Sequence, residues 1–479
     1  MKKTFLLLVL TCLLLVGCSS ENESPGTNNS VPDVQLNSIS DITSTSATVN
    51  GDVISSGGSN ITSRGFVWGT SSNPDQGDNS VTIGNGTGSF TGNLLNLQSG
   101  TTYFIRAFAT NSNGTSYSGE QSFNTLNQNC ENVANGNVFL RNQQEVNQFG
   151  EMGYCEITGW LDISDVFGEP IVDLSPLSSV EKVGLLRIIG TEQLETLDGL
   201  NINTIEKDLE IAANEGLINI NALSAITSSI NTVRIVNNNQ LINIQGLSGL
   251  TNFVMVENES PLLHVAGNIL MEDINGLQNV QIFENGQIEI RNNFQLSNID
   301  GLSSFPNTIN SLTLYSNDNL SDLGGISHFT SLPGDLNLEY NNNSNLDDLS
   351  SLTSVGGNLR ILFDGSDPVS ISGINNLSEV GGELEILSHP PLANIDALES
   401  LVSVGSLTLY NINTLTNLNG LSNLVSIIND LYISDNDELT NLCGLTTLIT
   451  NNGLGGTYYV QNNGYDPTEQ DIIDGNCSI

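Results

Sequence analysis

The sequence predicts a mainly β chain in which a β-sandwich over residues 32–126 precedes a long repeat solenoid over residues 130–479. Three observations carry that prediction. A short Leu-x-Ile unit recurs about every 24 residues from Leu161 onward. Runs of alternating apolar and polar residues, parted by Gly, Asn and Ser, fill residues 32–126. Four cysteines stand in two pairs, Cys130 with Cys155 and Cys443 with Cys477, at the two ends of the repeat region.

Taken from the N-terminus, Lys2 and Lys3 precede the apolar run Phe5 to Val16 and the tetrapeptide Leu15-Val16-Gly17-Cys18. The apolar run is too short to span a bilayer stably, and a small residue before Cys suits a lipoprotein peptidase. Residues 1–17 therefore read as a lipoprotein signal peptide, with Cys18 as the acylated first residue of the mature chain and the lipid as its membrane anchor. Residues 18–31 carry no apolar period and read as the lipidated Cys and a flexible tether. Glu21 and Glu23 resemble signals that send some bacterial lipoproteins to the outer face of the outer membrane, so the expected location is lipid-anchored and facing the cell exterior.

Eleven Lys and Arg against 52 Asp and Glu give a net charge of -41, which makes nucleic acid and anionic lipid poor partners. Only 13% of residues are charged, so the surface is rich in Asn, Ser and Gly with an acidic excess.

Within residues 32–126 the runs Ala47-Thr-Val49, Gly65-Phe-Val-Trp68 and Tyr103-Phe-Ile-Arg-Ala-Phe108 have the period of half-buried strands. The stretch Leu97-Gln-Ser-Gly-Thr-Thr-Tyr103-Phe-Ile-Arg-Ala107 resembles the fibronectin type III signature. That resemblance implies a Tyr103 hydroxyl tied back to the backbone of a corner, and Trp68 as the core aromatic of a middle strand.

In the repeats, Leu-x-Ile is followed by apolar residues at offsets of about 8, 11, 14, 17 and 20. The offset-14 position, in four coils within Asp/Asn-Gly-Leu, falls at Leu177, Leu200, Leu223, Leu247, Leu277, Leu302, Ile326, Leu349, Ile374, Leu398, Leu421 and Leu445. Such regular self-similarity marks a solenoid of about twelve coils. Leu-x-Ile makes one short strand with its outer residues inward, and the steps of three suit tight 3₁₀-like turns. A single coil buries too little to offset the ordering of its backbone, so coils must stack and the ends need caps, where the cysteine pairs lie.

Export permits disulfides; four cysteines allow three connectivities, of which sequence-local pairing is expected. The segments Asn137-Val-Phe-Leu140, Gln143-Gln-Glu-Val-Asn-Gln-Phe149 and Cys155-Glu-Ile-Thr-Gly-Trp-Leu-Asp-Ile163, with Val355-Gly-Gly-Asn-Leu-Arg-Ile361, resemble the receptor L-domain family. The resemblance covers residues 130–479 and implies a right-handed, leucine-rich-repeat-related β-solenoid opened by a small helix and a disulfide. Twelve coils exceed the usual length of such a domain, and no ligand-contact position is carried over.

Aligned strand units place their middle residues in one outward column: Asp162, Arg187, Glu210, Arg234, His264, Glu289, Thr313, Asn337, Arg360, Glu385, Thr408 and Tyr432. Its charges alternate at first, as in a register-fixing ladder of weak exposed pairs. The same face is the candidate binding surface, carried by Arg187, Glu210, Arg234, His264, Glu289, Arg360, Glu385 and Tyr432. One interval of 30 residues places an insertion within residues 252–260. It reads either as a binding loop or, through Phe253, Val254, Met255 and Val256, as an apolar segment packed back as a strand.

Catalytic signatures are missing. His264, His328 and His389 lie more than two coils apart, and no Gly-x-Ser-x-Gly elbow or phosphate loop occurs. No cofactor is expected, with calcium as the alternative through Asp318, Asp435, Asp437 and Glu438; their spacing departs from the EF-hand, and Asn-rich corner ladders account for them more simply. The sequence thus points to a non-catalytic surface lipoprotein that binds an extracellular protein or glycan. A structural coat component, or an accessory protein presenting glycans to a neighbouring enzyme or transporter, are the other readings.

Overall fold

The computed structural model describes residues 30–125, 130, 132–342, 345–363, 369–388, 391–392 and 394–479. The expected signal peptide, Cys18, nearly all of the tether and His389 lie outside the described residues. The chain divides into two compact units, Met1–Asn129 and Cys130–Ile479.

Two antiparallel sheets build the first unit. Strand Ala47–Ser55 lies between Asp33–Ser40 and Gly88–Leu94 in one sheet. In the other, Ser63–Gly69 lies between Asn79–Thr82 and Thr102–Asn111, whose far side pairs with Gly114–Tyr117 and Gln121–Asn124. Alternation sets the faces: along Ala47–Ser55, residues Ala47, Val49, Gly51 and Val53 are buried and those between are not. Leu36, Val49 and Val53 of one sheet share a core with Phe66, Ile105 and Phe123 of the other. Phe66 and Phe90 meet with ring centroids 4.8 Å apart, and a Cβ at Gly51 would lie 2.9 Å from the Phe90 ring, so glycine makes room there. The fully buried aromatic of the middle strand is Phe66, whereas Trp68, expected in that role, is only half-buried at the margin of the core. Both share one face, and the position nearer the strand centre takes the deeper site.

The second unit is a long parallel sheet, consistent with a β-solenoid. Successive Leu-x-Ile strands pair in parallel and in register, for example Lys182–Ile189 with Asp208–Ala212 and Asp208–Ala212 with Thr232–Val236. Seven side chains fill one coil, Leu209, Ile211, Leu217, Ile220, Leu223, Ile226 and Ile230, all essentially inaccessible. After each strand the chain turns a corner, passes the apolar steps of three, and closes 3₁₀ turns such as Gln245–Leu247 and Asn419–Leu421. Of the offset-14 residues, Leu200 differs, standing in a plain turn with its N–H on the Leu197 carbonyl at 3.1 Å. The Gly before the offset-14 Leu is needed for coil-to-coil approach: a Cβ on Gly246, Gly276 or Gly420 would lie 1.9 Å from the carbonyl oxygen of Ile220, Ile244 or Ile395 in the coil before.

At one end, Cys130–Cys155 and helix Gln143–Glu151 close the core. The Asn142 side chain caps that helix by accepting from the Glu145 N–H, and Val146 points inward. At the other end stand Cys443–Cys477 and helices Thr446–Thr450 and Glu469–Ile473, the latter opened by a capping box between Thr468 and Asp471.

Candidate functional site

Six strands, from Asp208–Ala212 to Leu336–Glu339, are followed by the same corner. Ala213, Asn237, Gly267, Asn292, Ser316 and Tyr340 adopt left-handed backbone, and each precedes a buried asparagine: Asn214, Asn238, Asn268, Asn293, Asn317 and Asn341. The Asn238 N–H and Nδ2 both donate to Asn268 Oδ1, at 3.0 and 3.2 Å, and Nδ2 also reaches the Ile211 carbonyl at 3.0 Å. The same bonds repeat from Asn214 to Asn341, and again between Asn436 and Asn463. Backbone groups freed at the turn are thereby satisfied without water.

The middle of the strand is different. Register pairs Asp162 with Arg187, Arg187 with Glu210, Glu210 with Arg234, Arg234 with His264 and His264 with Glu289. It continues through Thr313, Asn337, Arg360, Glu385 and Thr408 to Tyr432. One strand more extends the column at each end, by Phe139 beside Asp162 and Tyr459 beside Tyr432. Those end strands, Val138–Leu140 and Tyr458–Gln461, lack the Leu-x-Ile spelling, because a terminal coil packs on one side against its cap. Two expected outward members are buried: Asp162, covered by Arg141 and Arg187, and Thr313, which accepts from Asn337 Nδ2.

Ion pairs run along the charged half. Asp162 holds Arg141 on one side and Arg187 Nη1, at 3.2 Å, on the other. Arg187 Nε reaches Glu210 at 2.9 Å, while Arg234 lies 3.7 Å from the same carboxylate. His264 Nε2 sits 3.9 Å from Glu289, and Arg291 closes on Glu289 at 3.5 Å. Burial, then the Arg234 charge, hold the His264 imidazole below the usual histidine range, against the opposing pull of Glu289. Farther along, Arg360 is clamped between Glu385 and Glu339, and hydrogen bonding to Glu385 pushes its pKa up. At the end of the column the rings of Tyr432 and Tyr459 stack with centroids 4.5 Å apart and planes 1° from parallel.

Arg141, Phe139, Trp160, Arg291, Glu339 and Tyr459 also belong to this face, and aligning the middle residues of the strands does not select them. A signal exists: Arg141 and Arg291 each follow a column residue by two positions, which in a strand returns to the same side.

Of the insertion within residues 252–260, only the start packs back as a strand. Asn252–Phe253 forms a short parallel strand with Ile282–Phe283, and buried Phe253 packs on Phe283 with ring centroids 4.8 Å apart. Beyond it, Met255 is exposed and Val254 and Val256 are half-buried, so Phe253 alone is taken into the core. Glu257 and Asn258 turn with positive φ, and Lys207 holds the tip through Glu257 at 3.2 Å and Glu259 at 3.6 Å.

His328 Nε2 donates to the Phe305 carbonyl at 2.7 Å and its ring packs on Phe329, as a structural residue would. Among the described residues no group of three or more His, Cys, Asp or Glu side chains is placed to hold a metal ion. Asp435, one of the calcium candidates, accepts from the Ser434 hydroxyl and from Asn462 Nδ2, as part of the corner network. Two shallow hollows of about 720 and 410 Å³ lie on the 3₁₀ side of the coils, lined by residues including Asn375, Asp396 and Ala397, and not on the strand face.

No protein-family model matches the sequence, and no curated protein matches it. Among solved structures, the chain is similar over 20% of its length to the sensor domain of the anti-sigma factor RsgI4 from Pseudobacteroides cellulosolvens, at 24% identity and a TM-score of 0.17, covering 97% of that chain. Domains A168–A170 of titin match over 20% of this chain and 32% of theirs, at 23% identity and a TM-score of 0.15.

Proposed function

We propose that the chain is a surface lipoprotein of the outer membrane that binds an extracellular protein or glycan without catalysing a reaction. In this reading, Cys18 carries the lipid, residues 18–31 are the tether, residues 32–126 form a fibronectin type III-like spacer, and residues 130–479 form a right-handed receptor L-domain-like solenoid that presents the outward strand face. The fibronectin-like reading is supported by the Tyr103 hydroxyl, which accepts the Gln98 N–H at 3.0 Å across a corner.

One observation carries the functional reading. Leu, Gly and Asn positions repeat because packing and hydrogen bonding dictate them, while the outward column runs in register from Phe139 to Tyr459 with chemistry that packing does not dictate. A continuous face left open to choice is where a solenoid carries recognition.

Protease shaving of intact cells tests it. Removal of the solenoid from whole cells is the expected result; protection on whole cells, with digestion only after the outer membrane is ruptured, rejects the surface reading. Self-association of the purified protein without any ligand would instead favour the coat reading.

A further inference from the structure

We infer that the N-terminal part of the outward face, built from Phe139, Arg141, Trp160, Arg187 and Arg234, is a binding site for a carboxylate-bearing glycan. This inference deepens the surface-recognition reading and rests on it.

The first argument is charge. The chain carries a net charge of -41, yet all five Arg of residues 130–479, namely Arg141, Arg187, Arg234, Arg291 and Arg360, are set on this one strand face. Along the run Arg141, Asp162, Arg187, Glu210, Arg234 three guanidinium groups share the two carboxylates they contact, Asp162 and Glu210, and Arg234 has the longest of these contacts. Asp162 is withdrawn, its side chain 7% exposed, while Arg234 is 40% exposed and, among the described residues, pairs with Glu210 at 3.7 Å. A guanidinium in that position has its planar fork open to a second carboxylate.

The second argument is the company the arginines keep. Phe139 and Trp160 remain 48% and 42% exposed on the same end of the sheet. The Arg141 guanidinium lies 5.1 Å from the Phe139 ring centroid and that of Arg187 5.9 Å from Trp160. An exposed ring offers an apolar platform to the C–H face of a sugar while the adjacent arginine takes its carboxylate, which is the pairing an acidic sugar requires. A peptide would anchor side chains in pockets, and the two hollows described above lie on the 3₁₀ side, near Asn375 and Asp396. Four strand steps from Phe139 to Arg234 span roughly 19 Å, a length suited to an extended oligosaccharide laid across the strands.

The test is calorimetric titration of the full mature protein, lipid included and held in detergent, with a polygalacturonate hexasaccharide, a neutral hexasaccharide and a poly-glutamate peptide. Binding of the polyuronate, weakened by added salt, and loss of at least about tenfold in affinity in both Trp160→Ala and Arg234→Gln are expected. Arg234→Gln breaks only a long pair with Glu210, at 3.7 Å, so it remains readable if Trp160→Ala perturbs folding. Absence of polyuronate binding, equal binding of the neutral sugar, tighter binding of the peptide, or full affinity in Arg234→Gln would each overturn the assignment. Those outcomes leave the shaving result untouched, which separates failure of this site from failure of the surface reading.

Discussion

Two columns cross the same coils at the same spacing, yet one holds a run of six asparagines and the other changes residue at every step from Asp162 to Tyr432. At the corner, Asn214, Asn238, Asn268, Asn293, Asn317 and Asn341 are buried, and from Asn238 to Asn341 each amide oxygen accepts from the asparagine one coil before while its amide nitrogen donates to a backbone carbonyl of that coil. In the middle of the strand the sequence passes from Phe139 through alternating charges to stacked tyrosines. A buried position that must both donate and accept in a fixed geometry has one solution, whereas an outward position has only to avoid like charges beside it. Repetition therefore marks what holds the coils together, and variation marks what the coils display.

Breaking the corner should have the larger effect. Asn268→Ala removes the acceptor that the Asn238 N–H uses at 3.0 Å and the side-chain donor to the Ile235 carbonyl, leaving the buried Asn238 N–H without its partner. A loss of about 3 kcal/mol is expected, read as a lower urea midpoint by circular dichroism. The outward column should yield far less. Arg360→Ala combined with Glu385→Ala removes an ion pair whose arginine side chain is 47% exposed, and stability should move by less than about 1 kcal/mol in the same assay. If the two costs came out alike, the contrast between the columns would fail.

The smallest effect sharpens the contrast within the outward column itself. Because the His264 pKa is lowered in the folded protein, the unfolded chain binds the proton first as pH falls. The stabilising contribution is present above the unfolded value, near 6.5, and is lost as pH falls from there through the folded pKa. His264→Gln should flatten this part of the stability profile, measured by urea midpoints between about pH 7.5 and 5. An unchanged profile would show that burial and the neighbouring arginines do not oppose the imidazolium charge.

How far the molecule can be read from its residues depends on range. Period-two strands and steps of three are local, so Leu209, Ile211, Leu217, Ile220 and Leu223 announce an inward face without reference to anything distant. The column from Asp162 to Tyr432 follows from aligning those units, since equal spacing puts equal positions side by side. Trp68 and Phe66 cannot be ranked in this way: both point to one face, and their depths depend on how the second sheet lies over them. The insertion is ambiguous in sequence for the same reason. Phe253 is buried because Phe283 and Phe305, one and two coils further on, stack in line with it. Arg141 and Arg291 stay hidden when only the middle residue of each strand is aligned, because the next outward position lies two residues on.

By itself the sequence determined the repeat, its inward face and the spacing of its strands, because each coil of about 24 residues spells out its own alternation and its own turns. The tertiary structure decided which exposed-looking residues are covered and which partners they take. Asp162 is buried by two arginines from neighbouring strands, and six asparagines become one hydrogen-bonded ladder. Those outcomes depend on side chains about 24 residues apart meeting across a coil boundary, a distance that stacking sets and no single coil contains.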